Sequence, residues 1–362
     1  MLRIGVDCRK INDGGIGVYL RNLLISWQKL RVPAKFILFH AKKDMEAVEF
    51  DSPFTELVLH DFPKYSISEL FSFSRPLAKL RADLFFTPHY ILPFNLPCPA
   101  VATIHDLIHL RYGTRYGIWG KPYAKALMRH ACAKAKVILT DSRNSFRDIT
   151  YYFPRWSDKV RVIYPAVDPD IYRELPKNDV LEFKKRMSLP DEFVLYTGAL
   201  KPHKNPGALA RLANELDIPI ILATRDLEIY NNKLVPLIKD KHRISVVTIT
   251  SDKQMALLYN AARLMIFPSF YEGFGLPPLE AMACGLPVIC SGSSALPEVV
   301  GDAALLFSPR DYEDMVEKIK LCWRNLPLRD ILKAKGKKRV LLFDWSKAAA
   351  RIFEIFTGIT TL

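Results

Sequence analysis

Apolar residues in this chain fall into short runs separated by segments of helical period. In the first half, β-rich runs at 2–7, 35–39, 57–60, 83–87, 100–104, 136–140 and 160–164 predict strands. In the second half, runs at 193–197, 218–223, 244–249, 263–267, 287–290 and 303–307 do the same. The intervening segments read as helices; Leu20, Leu23, Leu24 and Trp27, for example, recur at i, i+3, i+4 and i+7. Strands alternating with helices imply parallel sheets built from βαβ units, hence an α/β fold. Unbroken runs such as Phe193–Tyr196 and Leu264–Phe267 suit strands covered on both faces. The Pro- and Asp-rich stretch from Tyr164 to Asp179 separates two such series. The expected organisation is therefore two doubly wound domains, 1–170 and 175–342, binding ligands at the C-terminal ends of their strands.

A length of 362 residues agrees with two cores. With 49% hydrophobic and 25% charged residues, the composition excludes extensive disorder. The start of the chain lacks the pattern of a signal peptide, and no window has the roughly 18 continuous apolar residues of a spanning helix. A cytoplasmic location follows as an expectation. The six cysteines are scattered without a C-x-x-C pair, as expected of reduced core residues.

Charge changes the picture more. The formal net charge is +14, and residues 111–161 carry 12 basic against 3 acidic side chains. Such a patch points to phosphates, acidic lipid or nucleic acid. No recognised nucleic-acid motif accompanies it, so no nucleic-acid partner is expected. From Arg111 to Lys136 basic residues alternate with Tyr112, Tyr116, Trp119 and Tyr123, without an acid. Arg111, Arg115, Trp119, Lys121, Lys125 and Arg129 are candidates for an anionic membrane surface or a polyprenyl-diphosphate-linked acceptor. A solvated helix face is the simpler alternative.

Two segments carry candidate chemistry. Gly14-Gly15-Ile16-Gly17 lies between a strand and a helix, where backbone N–H groups approach an anion or sugar. The cluster is neither a Walker loop nor a G-x-G-x-x-G fingerprint, and it also reads as a tight turn. Strand 263–267 leads into Pro268-Ser269-Phe270-Tyr271-Glu272-Gly273-Phe274-Gly275-Leu276, with a helix opening at Pro277-Pro278 and Glu280 in its first turn. Two carboxylates and free amides there suit sugar hydroxyls, phosphate and ribose. Alternatively, Glu280 complements the helix dipole and Glu272 is solvated. His105-Asp-Leu-Ile-His109 echoes a zinc motif but has Asp for Glu and directly follows a strand. Asp168-Pro169-Asp170 echoes a metal-binding D-x-D but lies in the linker, and the lysines at 333–338 suit a solvated helix face. No metal site is expected.

The run EGFGLPPLEAMACGLPVICSGSSALPEVVGDAALLF closely resembles the signature of retaining glycosyltransferases of family 4, which have the GT-B fold. GGIGVYL, VATIHDL, VLYTGALKPHKNP and RVIYPAVDP agree in the same order, so the resemblance spans nearly the whole chain. The form with Gly-Leu-Pro-Pro-Leu-Glu is similar to that of mannosyltransferases of bacterial surface polysaccharides. The resemblance implies two Rossmann-like domains, with a closing helix at about 343–358 packed back on the first. It implies that Glu272 binds hydroxyls of the donor hexose. The backbone of Gly273, Phe274, Gly275 and Leu276 would contact sugar and diphosphate, and Glu280 the ribose. Lys204 would neutralise the diphosphate, Gly15 and Gly17 would line the opposite side of the cleft, and His105 would sit near the anomeric carbon. His105, Lys204 and Glu272 are thus the expected catalytic residues. The chain departs from the family where Ala199 and His203 stand in place of arginines, leaving Lys204 as the main phosphate partner with Lys201 or His203 in support. The implied reaction is metal-independent transfer of a hexose, mannose from GDP-mannose first, to a lipid-linked or growing glycan at the inner face of the membrane. A UDP-sugar donor, a nucleotide-sugar epimerase and a silent partner subunit are the alternatives.

Overall fold

The computed structural model describes residues 1–42, 54–62, 68–113 and 120–361. Its chain divides into two compact units, Met1–Pro165 with Asp344–Leu362, and Ala166–Phe343. The breaks fall at 165/166 and 343/344, against expected domain limits of 170, 175 and 342.

Unit 1 is built on β1 (Leu2–Asp7), β2 (Ala34–His40), β3 (Thr55–Leu59), β4 (Leu84–Thr87), β5 (Ala100–Thr103), β6 (Val137–Thr140) and β7 (Val160–Val162). These form one parallel sheet in the order β3-β2-β1-β4-β5-β6-β7. Every residue of β4 and β5 is buried, as unbroken apolar runs require when helices cover both faces. Edge strand β3 keeps an alternating pattern and exposes Leu57 and Leu59. The helix Gly14–Lys29 buries Leu20, Leu23, Leu24 and Trp27 against this sheet, the face that its spacing predicts. Trp27 stacks on Phe36 and donates from Nε1 to the carbonyl of Ala349, 2.8 Å away, so the helix Trp345–Thr360 belongs to this core.

Unit 2 contains β8 (Val194–Thr197), β9 (Ile220–Ala223), β10 (Ile244–Val247), β11 (Leu264–Phe267), β12 (Val288–Ser291) and β13 (Ala304–Phe307). The sheet is again parallel, in the order β10-β9-β8-β11-β12-β13. All thirteen strands expected from the apolar runs are present, several of them shortened at their ends.

In each sheet the winding direction reverses once, between β1 and β4 and between β8 and β11. The connections leave in opposite directions at that point, which opens a crevice at the C-terminal ends of the two central strands. The six cysteines are all free, and five are buried. Among the described residues no helix is long and apolar enough to cross a membrane.

Candidate active site

In unit 2 the loops after β8 and β11 meet at the reversal point. After β8 the chain passes Gly198, with φ at +135°, into a 3-10 turn at Pro202–Lys204. Asn205, left-handed at φ +55°, then starts the helix Pro206–Glu215. After β11, the Phe270 N–H donates to the carbonyl of buried His203 at 2.7 Å, which ties the two loops together. Lys204 Nζ donates to Glu272 Oε1 at 2.7 Å, with the side chains 16% and 12% exposed. Nζ also sits 5.1 Å from the centroid of Phe267. One of the three ammonium hydrogens is used by Glu272, leaving charge and donors for anionic oxygens. The carboxylate keeps Oε2 to accept from hydroxyls.

Serines after β12 brace this loop. Ser294 Oγ accepts from the Glu272 N–H at 2.8 Å, and Ser293 Oγ donates to the carbonyls of Ser269 and Phe270 at 3.1 and 3.0 Å. Ser291 Oγ bonds the same Ser269 carbonyl. The SGSS tetrad at a strand end was the available signal for this support.

The next residues fix the helix start. Phe274 is buried with its ring edge-on to Phe343 at 5.5 Å, so only its backbone is offered to a ligand. Gly275 has φ +116°, a conformation that favours glycine, and a Cβ there would lie 2.6 Å from Leu296 Cδ2, so that side chain would have to shift. The helix Leu276–Ala283 follows, with prolines at its second and third positions, where N–H groups would have no helical partner anyway.

Glu280 points to a different partner from Glu272. Tyr259, fully buried on the helix Asp252–Ala261, donates its hydroxyl to Glu280 Oε2 at 2.9 Å. Burial pushes the Glu280 carboxyl up to about 7, against the lowering effect of that hydrogen bond and with a further push from Asp252. Tyr259 was not singled out from sequence, where it reads as one more core aromatic.

Unit 1 carries the other predicted residues. Asp7 closes β1, and Arg9 grips it through Nε and Nη2, each at 2.8 Å; Nη2 also reaches Glu69 Oε1 at 2.8 Å. This buried triad pins the turn that leads to the glycines. Gly14 and Gly15 are exposed at the helix start, and a Cβ on Gly15 would meet nothing within 4 Å. Gly17 differs: it is buried, and a Cβ would lie 2.2 Å from the carbonyl oxygen of Ile11. The third glycine is therefore required by packing, whereas Gly15 leaves its backbone open to a ligand.

His105 follows β5. Its Nδ1 is 2.7 Å from Asp141 Oδ2, at the end of β6, and its Nε2 is 2.9 Å from the Pro88 carbonyl, at the end of β4. Burial opposes protonation, but Asp141, the Pro88 carbonyl and Asp106 prevail and raise the ring's pKa. Asp141 was also missed in the sequence.

The candidate basic surface is partly described. Lys121, Lys125 and Arg129 are exposed at four-residue spacing on the helix Gly120–Lys134. Arg111 is exposed but paired with Asp148, while Arg115 and Trp119 lie outside the described residues. Among the described residues no cluster of three or more His, Cys, Asp or Glu could hold a metal ion.

Comparison with known proteins bears on the family and the fold. Residues 13–171 match the model of Glycosyltransferase Family 4, and residues 178–339 that of Glycosyl transferases group 1. O-antigen chain mannosyltransferase B of Escherichia coli is 30% identical over 283 residues, covering 75% of this chain and 74% of that protein. Sucrose-phosphate synthase from Thermosynechococcus elongatus superposes with a TM-score of 0.81 at 19% identity, over the full length of both chains. Anabaena HepE, solved with UDP and glucose, gives 0.77 at 18% identity, over 99% of this chain and 100% of that one. Those two likenesses establish the GT-B fold. With both halves matched in order and a relative at 30% identity across three quarters of its length, this chain belongs to the family 4 glycosyltransferases and is a hexosyltransferase.

Proposed function

We propose that this chain is a retaining mannosyltransferase that uses GDP-mannose to extend a lipid-linked surface glycan of the O-antigen kind. The observation that carries the reading is the Lys204–Glu272 pair, one residue from each side of the reversal point in unit 2. A cation next to a carboxylate, with backbone amides at a helix start beyond, suits a sugar diphosphate: anion on one side, hydroxyls on the other. Mannose is favoured by the likeness to the E. coli O-antigen mannosyltransferase.

In the proposed step the bond from the anomeric carbon to the diphosphate oxygen breaks, and its electron pair leaves on that oxygen. Lys204 and the amides of Phe274 to Leu276 stabilise the charge that develops there. The acceptor hydroxyl bonds to the anomeric carbon on the face just vacated, and its proton passes to the departing oxygen. Glu272 holds sugar hydroxyls, and Glu280 accepts from the ribose. No metal ion is required, because Lys204 and the amides meet the diphosphate charge. The exposed Lys121, Lys125 and Arg129 row, beside the apolar side chains of Pro122, Ala126 and Trp156, supports a peripheral contact with anionic lipid at the inner membrane face.

The test is a donor screen. Purified protein is held against GDP-, UDP- and dTDP-linked hexoses with chelator present, and thermal stabilisation and sugar transfer to a lipid-linked acceptor are measured. GDP-mannose should stabilise the protein most and leave an α-linked product. Stabilisation by UDP-sugars alone moves the donor, an inverted product removes retention, and loss of turnover with chelator overturns metal independence.

A further inference from the structure

His105 is a histidine without a free lone pair. A carbonyl oxygen only accepts, an ionised carboxylate only accepts, and a neutral imidazole has a single N–H to give. His105 nevertheless meets the Asp141 carboxylate at 2.7 Å and the Pro88 carbonyl at 2.9 Å. One proton beyond the neutral ring and the ionised carboxylate is therefore shared by the pair. Burial of the ring opposes a charge there, but the Asp141 carboxylate, the Pro88 carbonyl and the negative charge of Asp106 outweigh it, so the proton resides on the imidazole. Asp141 Oδ1 is buried and makes no hydrogen bond to a protein atom, so the carboxylate's charge is spent chiefly on His105.

The surroundings of the ring have been arranged to keep it in place. Tyr19, from the helix Gly14–Lys29, lies edge-on to it with centroids 4.9 Å apart, and its phenol, raised by burial, is uncharged at neutral pH. From the loop after β4, buried His89 is held neutral by burial and by the nearby positive charges of Lys10, His105 and His109. Asp106 adds a second negative charge on the His105 loop. The His105 backbone is clamped as well: Ser145 Oγ donates to its carbonyl at 2.9 Å, and Thr140 Oγ1 donates to that of Ile104 at 2.7 Å.

We propose that Asp141 is a positioning residue that keeps His105 as an imidazolium with both N–H bonds committed inside unit 1, so that in transfer His105 acts as a fixed positive charge and takes no proton. The role in transfer rests on the function proposed above; the charge state does not. One consequence is that the acceptor's proton must leave by another group, which the departing diphosphate oxygen supplies.

The test is nitrogen NMR on the full chain labelled at histidine, with His105→Gln identifying the resonances. Both His105 nitrogens should carry protons at pH near 8. Asp141→Asn should leave His105 neutral at that pH, move the basic limb of kcat/KM down by about one pH unit or more and change the donor KM little; Asp141→Glu should restore the protonated ring. A wild-type His105 with one unprotonated nitrogen near neutral pH overturns the proposal, as does an unshifted pH profile in a folded Asp141→Asn enzyme. If Asp141→Asn does not fold, the wild-type spectrum alone decides. A chain that transfers sugar from no donor would defeat the transferase reading while leaving the spectrum to decide the charge.

Discussion

Replacing Glu280 by glutamine should make the protein more stable and worse at binding its donor. Glu280 titrates near 7 in the fold against an ordinary 4.5, so between those values the folded chain holds a proton that the unfolded chain has lost. Stability must then fall as pH rises through that window, and the full cost persists above it. At about 1.4 kcal/mol per unit, the shift amounts to roughly 3 kcal/mol in alkaline solution. Glutamine removes the charge and keeps a carbonyl for the Tyr259 hydroxyl, and the value near 7 already includes what that hydrogen bond gives the ionised form. The net gain near pH 8 is therefore up to about 3 kcal/mol, or about 6–12 °C in the melting of a unit of this size. Near pH 5 the two proteins should melt together. Scanning calorimetry at the two pH values reads the difference directly, and GDP titration should show about tenfold or more weaker binding at the higher pH. A glutamine variant that is less stable at pH 8, or shifted equally at both pH values, would refute the reasoning.

Lys204→Ala should lower kcat by about 100-fold or more, because the departing diphosphate loses its cation; turnover within a few-fold of wild type would sink that assignment. Gly275→Ala combines φ +116° with a Cβ placed 2.6 Å from Leu296 Cδ2. It should cost about 1–3 kcal/mol in urea unfolding and raise the donor KM, whereas an unchanged midpoint and KM would contradict the close packing. Changing Lys121, Lys125 and Arg129 together to glutamate should abolish co-sedimentation with vesicles rich in anionic lipid and leave folding intact. Wild-type binding that ignores both lipid charge and salt would remove the membrane contact.

The strands were legible because two-sided burial leaves unbroken apolar runs, and the order of motifs gave the family. Pairings that depend on which strands become neighbours were not legible. His105 and Asp141 are 36 residues apart and meet because β5 lies beside β6. Lys204 and Glu272, 68 apart, meet because β8 lies beside β11; the sequence assigned each a separate role and gave no sign of their ion pair. Tyr259 reached Glu280 through helix packing, and a tyrosine on a buried helical face carries no local mark of what its hydroxyl will touch. Gly17 adds a packing reason the sequence did not show: its position in a glycine cluster suggested a ligand, and the Ile11 carbonyl leaves no room for a Cβ there.

The position of the last helix has a consequence for how the chain is made. Unit 1 is interrupted by all of unit 2, and its second piece, Trp345–Thr360, is synthesised only after unit 2. Until then Trp27 has neither the Ala349 carbonyl for its indole nor Phe356 against its ring. The half that is translated first is thus finished second, and the inserted half can close on itself while its host still waits for its closing segment. A ribosome paused near residue 340 should trap the first unit with an open apolar face that chaperones would recognise.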